Sequence, residues 1–403
     1  MTNPRIASPA FKRDPYPFYA RLRAEAPVCR VSVPGGKTAW LVTRYDDVVS
    51  VLKDERIVNN RFKSLAPEHT AKLPWIPKAF LPLAHNMLGQ DPPDHTRLRA
   101  LVQKAFTPRL VEAMRTRAEA LTNEMVEAAE RRGRMDLIHD YALPLPATII
   151  AEMLGIDPRD RYKFHRWSNA FVSTDYSKWH MVQAFPSVLA FMRYVRKLVR
   201  RRRAEPGDDL ASALVRAEEA GDQLNEDELL AMIVLLLIAG HETTVNLIGN
   251  GMLALLRHPE QMARLRSDPA LIKSAVEELL RHDGPLETAT DRFTREDVTV
   301  AGTTIPAGAL VFAVIASANR DERQFKNPDV LDLGREDNKH VAFGLGAHYC
   351  LGAPLARLEA QIAINTLLRR CKSLRLAIPP ERVRWKRGMI LRGVRALPVA
   401  FTK

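Results

Sequence analysis

Residues 225–257, NEDELLAMIVLLLIAGHETTVNLIGNGMLALLR, limit the fold more than any other stretch of the chain. Asn225 followed by Glu228 fits a capping box, with asparagine in the serine role. The helical pattern then holds until His258-Pro259 stops it. A helix of that length spans ~50 Å at ~1.5 Å per residue. Being apolar on most sides, it has to run through the middle of the molecule. Its longest apolar run, Leu229 to Ala239, is well short of the ~20 residues that span a bilayer. The run then breaks into Ala239, Gly240, His241, Glu242, Thr243 and Thr244. Glycine weakens a helix interior and an unpaired buried carboxylate is costly, so the break calls for a reason.

Helical patterns fill most of the remaining chain, at 93–132, 145–155, 183–203, 268–282 and 352–371, with a short helix after the first prolines. Strand-like runs are few: 39–45, 297–315 and the final VRALPVAFTK. No internal repeat and no Gly/Ser linker divides them. The expectation is a mainly α protein, one domain over residues 1–403, with small β-sheets and a long central helix. An apolar content of 46% against 27% charged residues supplies a large core. The formal net charge of +13 favours acidic partners. No zinc-finger spacing or aromatic-interleaved basic motif points to nucleic acid. The run Arg200–Arg203 reads as a solvated helix end. The amino terminus has no apolar core of signal-peptide type, so a cytoplasmic location is expected.

Cys29, Cys350 and Cys371 are too few and too scattered for a disulfide framework. Cys350 lies in FGLGAHYCLG at 343–352, where glycine density suggests a tight turn with backbone pressed close to something. A helical pattern starts directly afterwards. A sulfur at the positive end of a helix is favoured as thiolate. A lone thiolate cannot make a four-ligand structural zinc site, but it suits one axial bond to a metal held by another ligand set, such as haem iron. The bland alternative is a buried cysteine acting as a small hydrophobe.

The ten residues 343–352 resemble the cysteine-ligand loop of cytochrome P450. The resemblance extends over the chain, in the family's order, through PYPFYARLRAEAPV, DPPDHTRLRALVQKAFTP, AGHETT, EELLR and SANRDERQFKNPD. It implies the cytochrome P450 fold, one haem b per chain and Cys350 as axial ligand, with Phe343 shielding the sulfur and loop N–H groups, including those at Gly344 and Gly352, around it. It implies that His95, Arg99, Arg292 and His348 hold the haem propionates. Ala239 and Gly240 leave room for dioxygen, and Glu242 and Thr243 form an acid–alcohol pair for proton delivery. Glu278, Arg281 and Arg335 become a structural triad. HETTV shares two residues with the zinc motif His-Glu-x-x-His, but Val245 replaces the second histidine, so His241 reads as a packed helix residue.

By the same resemblance, the substrate cavity is lined by Ala84, Met87, Leu88, Phe171, Leu235, Ile238, Ala239, Leu286, Thr288, Ala289, Met389 and Ile390, with Glu287 as a polar discriminator. The implied reaction is insertion of one oxygen atom from O2 into a hydrophobic small molecule of secondary-metabolite, terpenoid, steroid or fatty-acid kind. The electrons are expected from a separate ferredoxin and its reductase, in a monomer that binds neither nucleic acid nor membrane. Two other readings stay open: a haem-thiolate sensor that does not oxygenate, and a peroxide-driven member of the family.

Overall fold

The capping box forms as the sequence dictates. The Glu228 N–H donates to Asn225 Oδ1 at 2.9 Å, and the Asn225 N–H donates to Glu228 Oε2 at 3.1 Å. From this cap one helix runs unbroken over Glu226–Arg257. By length and composition alone it could cross a membrane, but 67% of its most apolar window is buried within the protein. The computed structural model describes residues 5–34, 36–62, 85–160, 167, 178–219 and 224–402.

The chain divides into two compact units. One comprises Met1–Ile57, Ala113–Leu145 and Thr243–Lys403, and the other Val58–Glu112 and Pro146–Glu242. The long helix gives its first half to the second unit and its latter half to the first. The first unit holds most of the β-structure: β1 (Val28–Val33), β2 (Lys37–Val42), β3 (Ile57–Val58), β4 (Arg134–Asp136), β5 (Arg292–Thr294), β6 (Val298–Val300), β7 (Thr303–Ile305), β8 (Leu310–Ala313), β9 (Lys372–Leu376) and β10 (Pro398–Thr402). The largest sheet has the order β1-β2-β8-β5-β3, and β4-β10-β9 and β6-β7 form smaller ones. β2 and β8 run parallel with Trp40 opposite Val311, while β5 returns antiparallel with Arg292 opposite the same valine. Val42, Val48, Val51, Val311, Ala313 and Ile315 form a core on this sheet.

In the same unit, the helix Ala353–Arg370 packs along Arg115–Glu130. Arg370 closes the far end of that contact on Glu130. Tyr141, fully buried, donates its hydroxyl to the Ala363 carbonyl at 2.8 Å. In the second unit, the Asp94–Ala105 helix is tied to the start of the long helix by Arg97, whose guanidinium donates to both Glu228 oxygens.

The pattern at 93–132 resolves into three helices, Asp94–Ala105, Pro108–Ala113 and Arg115–Glu130. Pro108 accounts for the first break, because the residue before a proline is pushed out of the helical region. The apolar run at 39–45 is strand only as far as Val42, and Tyr45 opens the helix Tyr45–Lys53.

Candidate active site

Cys350 sits just before the Ala353–Arg370 helix, half-buried. Its N–H donates to the Phe343 carbonyl at 2.9 Å, which closes residues 343–350 into a loop. Gly344 and Gly346 have φ of 69° and 70°, left-handed values that side chains rarely adopt. A Cβ at Gly352 would lie 4.0 Å from Cys350 Sγ, which places this glycine beside the sulfur. His348, half-buried, ends the short turn Gly346–His348.

A chain of contacts steadies the front of this loop. The Arg357 guanidinium lies 4.4 Å from the centre of the Phe343 ring. Arg357 Nε and Nη2 donate to the two Glu277 oxygens at 2.7 and 2.8 Å, and His340 Nε2 lies 3.1 Å from Oε2. Burial alone would raise the Glu277 carboxyl pKa, but Arg357 and His340 outweigh it and hold it at about 2. The sequence reading passed over Glu277, although it stands beside Glu278 in EELLR.

Glu278 and Arg281 are 0% and 1% exposed and meet at 2.8 Å through two hydrogen bonds. Arg335 adds its Nε at 3.1 Å, so the triad is assembled. Arg281 also donates to the carbonyls of Asn319, Pro328 and Val330. The Asp332 N–H and Asn338 donate to Glu278. Every partner position around this carboxylate is thereby used, which lets a charge sit in the core.

On the long helix, exposure follows one face. Leu235, Leu236, Ile238 and Gly240 are half-buried and Ala239 is exposed, whereas Met232, Ile233, Val234 and Leu237 are buried. The accessible face is apolar until it reaches half-buried Thr243. Glu242 is 4% exposed and Thr244 2%. His241 is fully buried with Nδ1 2.7 Å from the Leu237 carbonyl, a packed helix residue. A Cβ at Gly240 would meet Ile150 at 3.2 Å, so its smallness also serves packing.

His95, buried, and Arg99, half-buried, share the Asp94–Ala105 helix four residues apart. Arg292 is buried on β5. Of the expected substrate residues, Ala84 and Phe171 lie outside the described residues. Met87 is buried, with its N–H donating to Met232 Sδ at 3.4 Å; Leu88 is half-buried. Two of the expected segments meet: Leu286 bridges Leu391, the Glu287 N–H donates to the Ile390 carbonyl at 2.8 Å, and Thr288 Oγ1 donates to the Met389 carbonyl at 3.3 Å. Thr288 and Met389 are buried, while Leu286, Ala289 and Ile390 are half-buried.

Glu287 corrects the expectation of a polar discriminator. It is 1% exposed, and its carboxylate is taken up by the Lys12 ammonium and the Tyr19 hydroxyl, both buried. Burial pushes the Lys12 pKa down, against the opposing pull of Glu287.

Among the described residues, no group of three or more His, Cys, Asp or Glu side chains is placed to hold a metal ion. Cys350 suits a metal whose other ligands come with it, as in haem. A single accessible thiol in a glycine-rich loop and an apolar helix face ending in a threonine fit such a group.

These features define a haem-thiolate class of protein. The family model described as Cytochrome P450 matches residues 11–389, and the chain belongs to that family as a cytochrome P450 monooxygenase. It is 46% identical to Cytochrome P450 107B1 of Saccharopolyspora erythraea over 392 residues, covering 97% of this chain and 96% of that protein. It is 41% identical to the polyketide biosynthesis cytochrome P450 PksS of Bacillus subtilis, covering 98% and 97%. The crystal structure of the myxobacterial cytochrome P450 CYP267B1 in complex with myristic acid aligns with a TM-score of 0.93 at 43% identity, over 99% of both chains.

Proposed function

We propose that this chain acts as one haem domain over residues 1–403, binding haem b through Cys350 and oxygenating an amphipathic, chain-like small molecule. The observation that carries the proposal is the apolar, accessible face of the long helix that ends at Thr243 next to buried Glu242. Haem iron, when bound, supplies the activation of dioxygen. The thiolate of Cys350 would hold the iron and lend it electron density, and Phe343, braced by Arg357, would keep water from the sulfur. His95, Arg99, Arg292 and His348 answer the propionate charges, because a buried dianion needs cationic partners.

Thr243 Oγ1 offers both a donor and an acceptor at the end of the apolar face, so it can hold an ordered water there. Glu242, one residue earlier, is the carboxylate through which protons reach that hydroxyl. Leu235, Ile238, Leu286, Ala289 and Ile390 supply apolar contacts that orient a hydrocarbon substrate and exclude bulk water. PksS takes part in polyketide biosynthesis by its name, and the myxobacterial protein holds a fatty acid. Acyl chains and polyketides share the elongated apolar shape these side chains suit, which makes them the first substrates to try. Reducing equivalents come from an acidic ferredoxin and its reductase, steered by the excess of 60 basic over 47 acidic residues, with the protein acting as a cytoplasmic monomer.

The test is a screen of fatty acids and macrolactones for the haem spin-state shift on binding, followed by product analysis with a surrogate ferredoxin system. Spin-state ligands that yield no oxygenated product would refute the monooxygenase assignment for those substrates. Reduction rates indifferent to ionic strength would refute steering by charge.

A further inference from the structure

Residues 380–395 read PERVRWKRGMILRGVR. Two backbone bonds fold this segment back on itself: the Lys386 N–H donates to the Gly393 carbonyl at 2.9 Å, and the Arg395 N–H to the Arg384 carbonyl at 2.8 Å. Beside it lies the short helix Pro9–Arg13, which Ser8 caps. Between them is an open cleft of about 380 Å³ whose lining includes Arg13, Arg384, Arg387, Arg395 and Trp385, and no carboxylate. That volume falls within the ~300–1,000 Å³ of small-molecule sites.

The charge in this cleft is unanswered. All four arginines are exposed, and among the described residues none has an acidic partner. Four arginines elsewhere are matched: Arg97 by Glu228, Arg203 by Glu218, Arg281 by Glu278 and Arg370 by Glu130. One wall of the cleft is a tryptophan. Trp385 is 2% exposed, its ring is covered by the Arg392 guanidinium at 4.1 Å, and its Nε1–H has no acceptor.

We propose that this cleft binds a phosphomonoester. Arginine forks match phosphate oxygens two at a time, and four of them exceed what a single negative charge would need. A dianion with three accepting oxygens uses them. The hairpin fixes Arg384 and Arg395 opposite one another, so part of the site is preorganised. The site shares no residue with the thiolate loop or the Thr243 face, and the inference stands whether or not the substrate reading holds.

The same chemistry occurs in free phosphates and in lipid headgroups, and the experiment separates them. The haem-loaded, full-length protein is titrated by calorimetry at low salt with inorganic phosphate and with glycerol 3-phosphate. In parallel it is co-sedimented with phosphatidylcholine vesicles with and without phosphatidic acid. Saturable binding of either soluble phosphate assigns free phosphoesters, and binding confined to phosphatidic acid vesicles assigns a headgroup; both uphold the site. R384Q/R387Q should weaken binding by about tenfold or more for each arginine removed. R384K/R387K keeps the charge but loses the fork, and should fall between. R13Q, on a separate segment, gives the same reading should the double variant fail to fold. No saturable binding of any probe, or binding within about twofold of wild type in both R384Q/R387Q and R13Q, overturns the proposal.

Discussion

Replacing Glu277 by glutamine tests how the thiolate loop is braced. Glu277 and Arg357 are 29% and 30% exposed, and two charge-assisted hydrogen bonds join them. The carboxyl is held at about 2 against an ordinary 4.5. At ~1.36 kcal/mol per pKa unit, that difference sets a ceiling of ~3.4 kcal/mol. Water still reaches the pair, so the realised contribution is ~1–2 kcal/mol. The folded pKa lies below the unfolded one, so the contribution is complete above pH 4.5 and disappears as pH falls towards 2. E277Q should therefore lose ~1–2 kcal/mol at neutral pH, and its deficit should shrink steadily between those two values. Urea unfolding followed by tryptophan fluorescence across that range measures it. A deficit that stays constant with pH, or no deficit at pH 7, would refute the reasoning. The variant should also release Arg357 from its place over Phe343, 4.4 Å from the ring centre, and so disturb the haem absorption spectrum.

Lys12→Met should cost ~3–5 kcal/mol, because it leaves the Glu287 carboxylate buried with the Tyr19 hydroxyl but no ammonium. K12M/E287Q should recover most of that loss in denaturant titrations; single effects that simply add would sink the idea. Thr243→Ala should keep haem and substrate binding but divert electrons into peroxide, and an unchanged product yield per electron would remove Thr243 from proton delivery. Cys350→Ser should abolish the thiolate signature of the ferrous carbonyl spectrum. Its persistence would mean another residue ligates the iron.

Local signals in this sequence translated well into structure. The Asn225–Glu228 box, the stop at His258-Pro259 and the spacing of Glu278 and Arg281 all act within one helical turn, where sequence distance and spatial distance agree. The cysteine loop was legible for the same reason: Gly344 and Gly346 stand where the backbone takes left-handed angles. Glu287 was misread because its partners, Lys12 and Tyr19, lie 275 and 268 residues away. No pattern of spacing announces such a pair. The boundary at Val42 was blurred because Tyr45, Val48 and Val49 suit strand and helix core alike. The helix expected at 183–203 starts five residues earlier, at Lys178, and carries Pro186 within it.

The thiolate loop also has an outer side. Gly346, Ala347 and Tyr349 are exposed while Cys350 is half-buried, so this side of the loop meets solvent within a residue of the cysteine. A redox protein resting on that patch would bring its own metal centre about as near to the sulfur as two folded chains allow. Tunnelling rates fall exponentially with distance, so side-chain bulk on that patch would set how fast electrons enter. A bulky substitution at Ala347 would act as a spacer, slowing electron entry while leaving the ligand, the fold and the substrate chamber as they are.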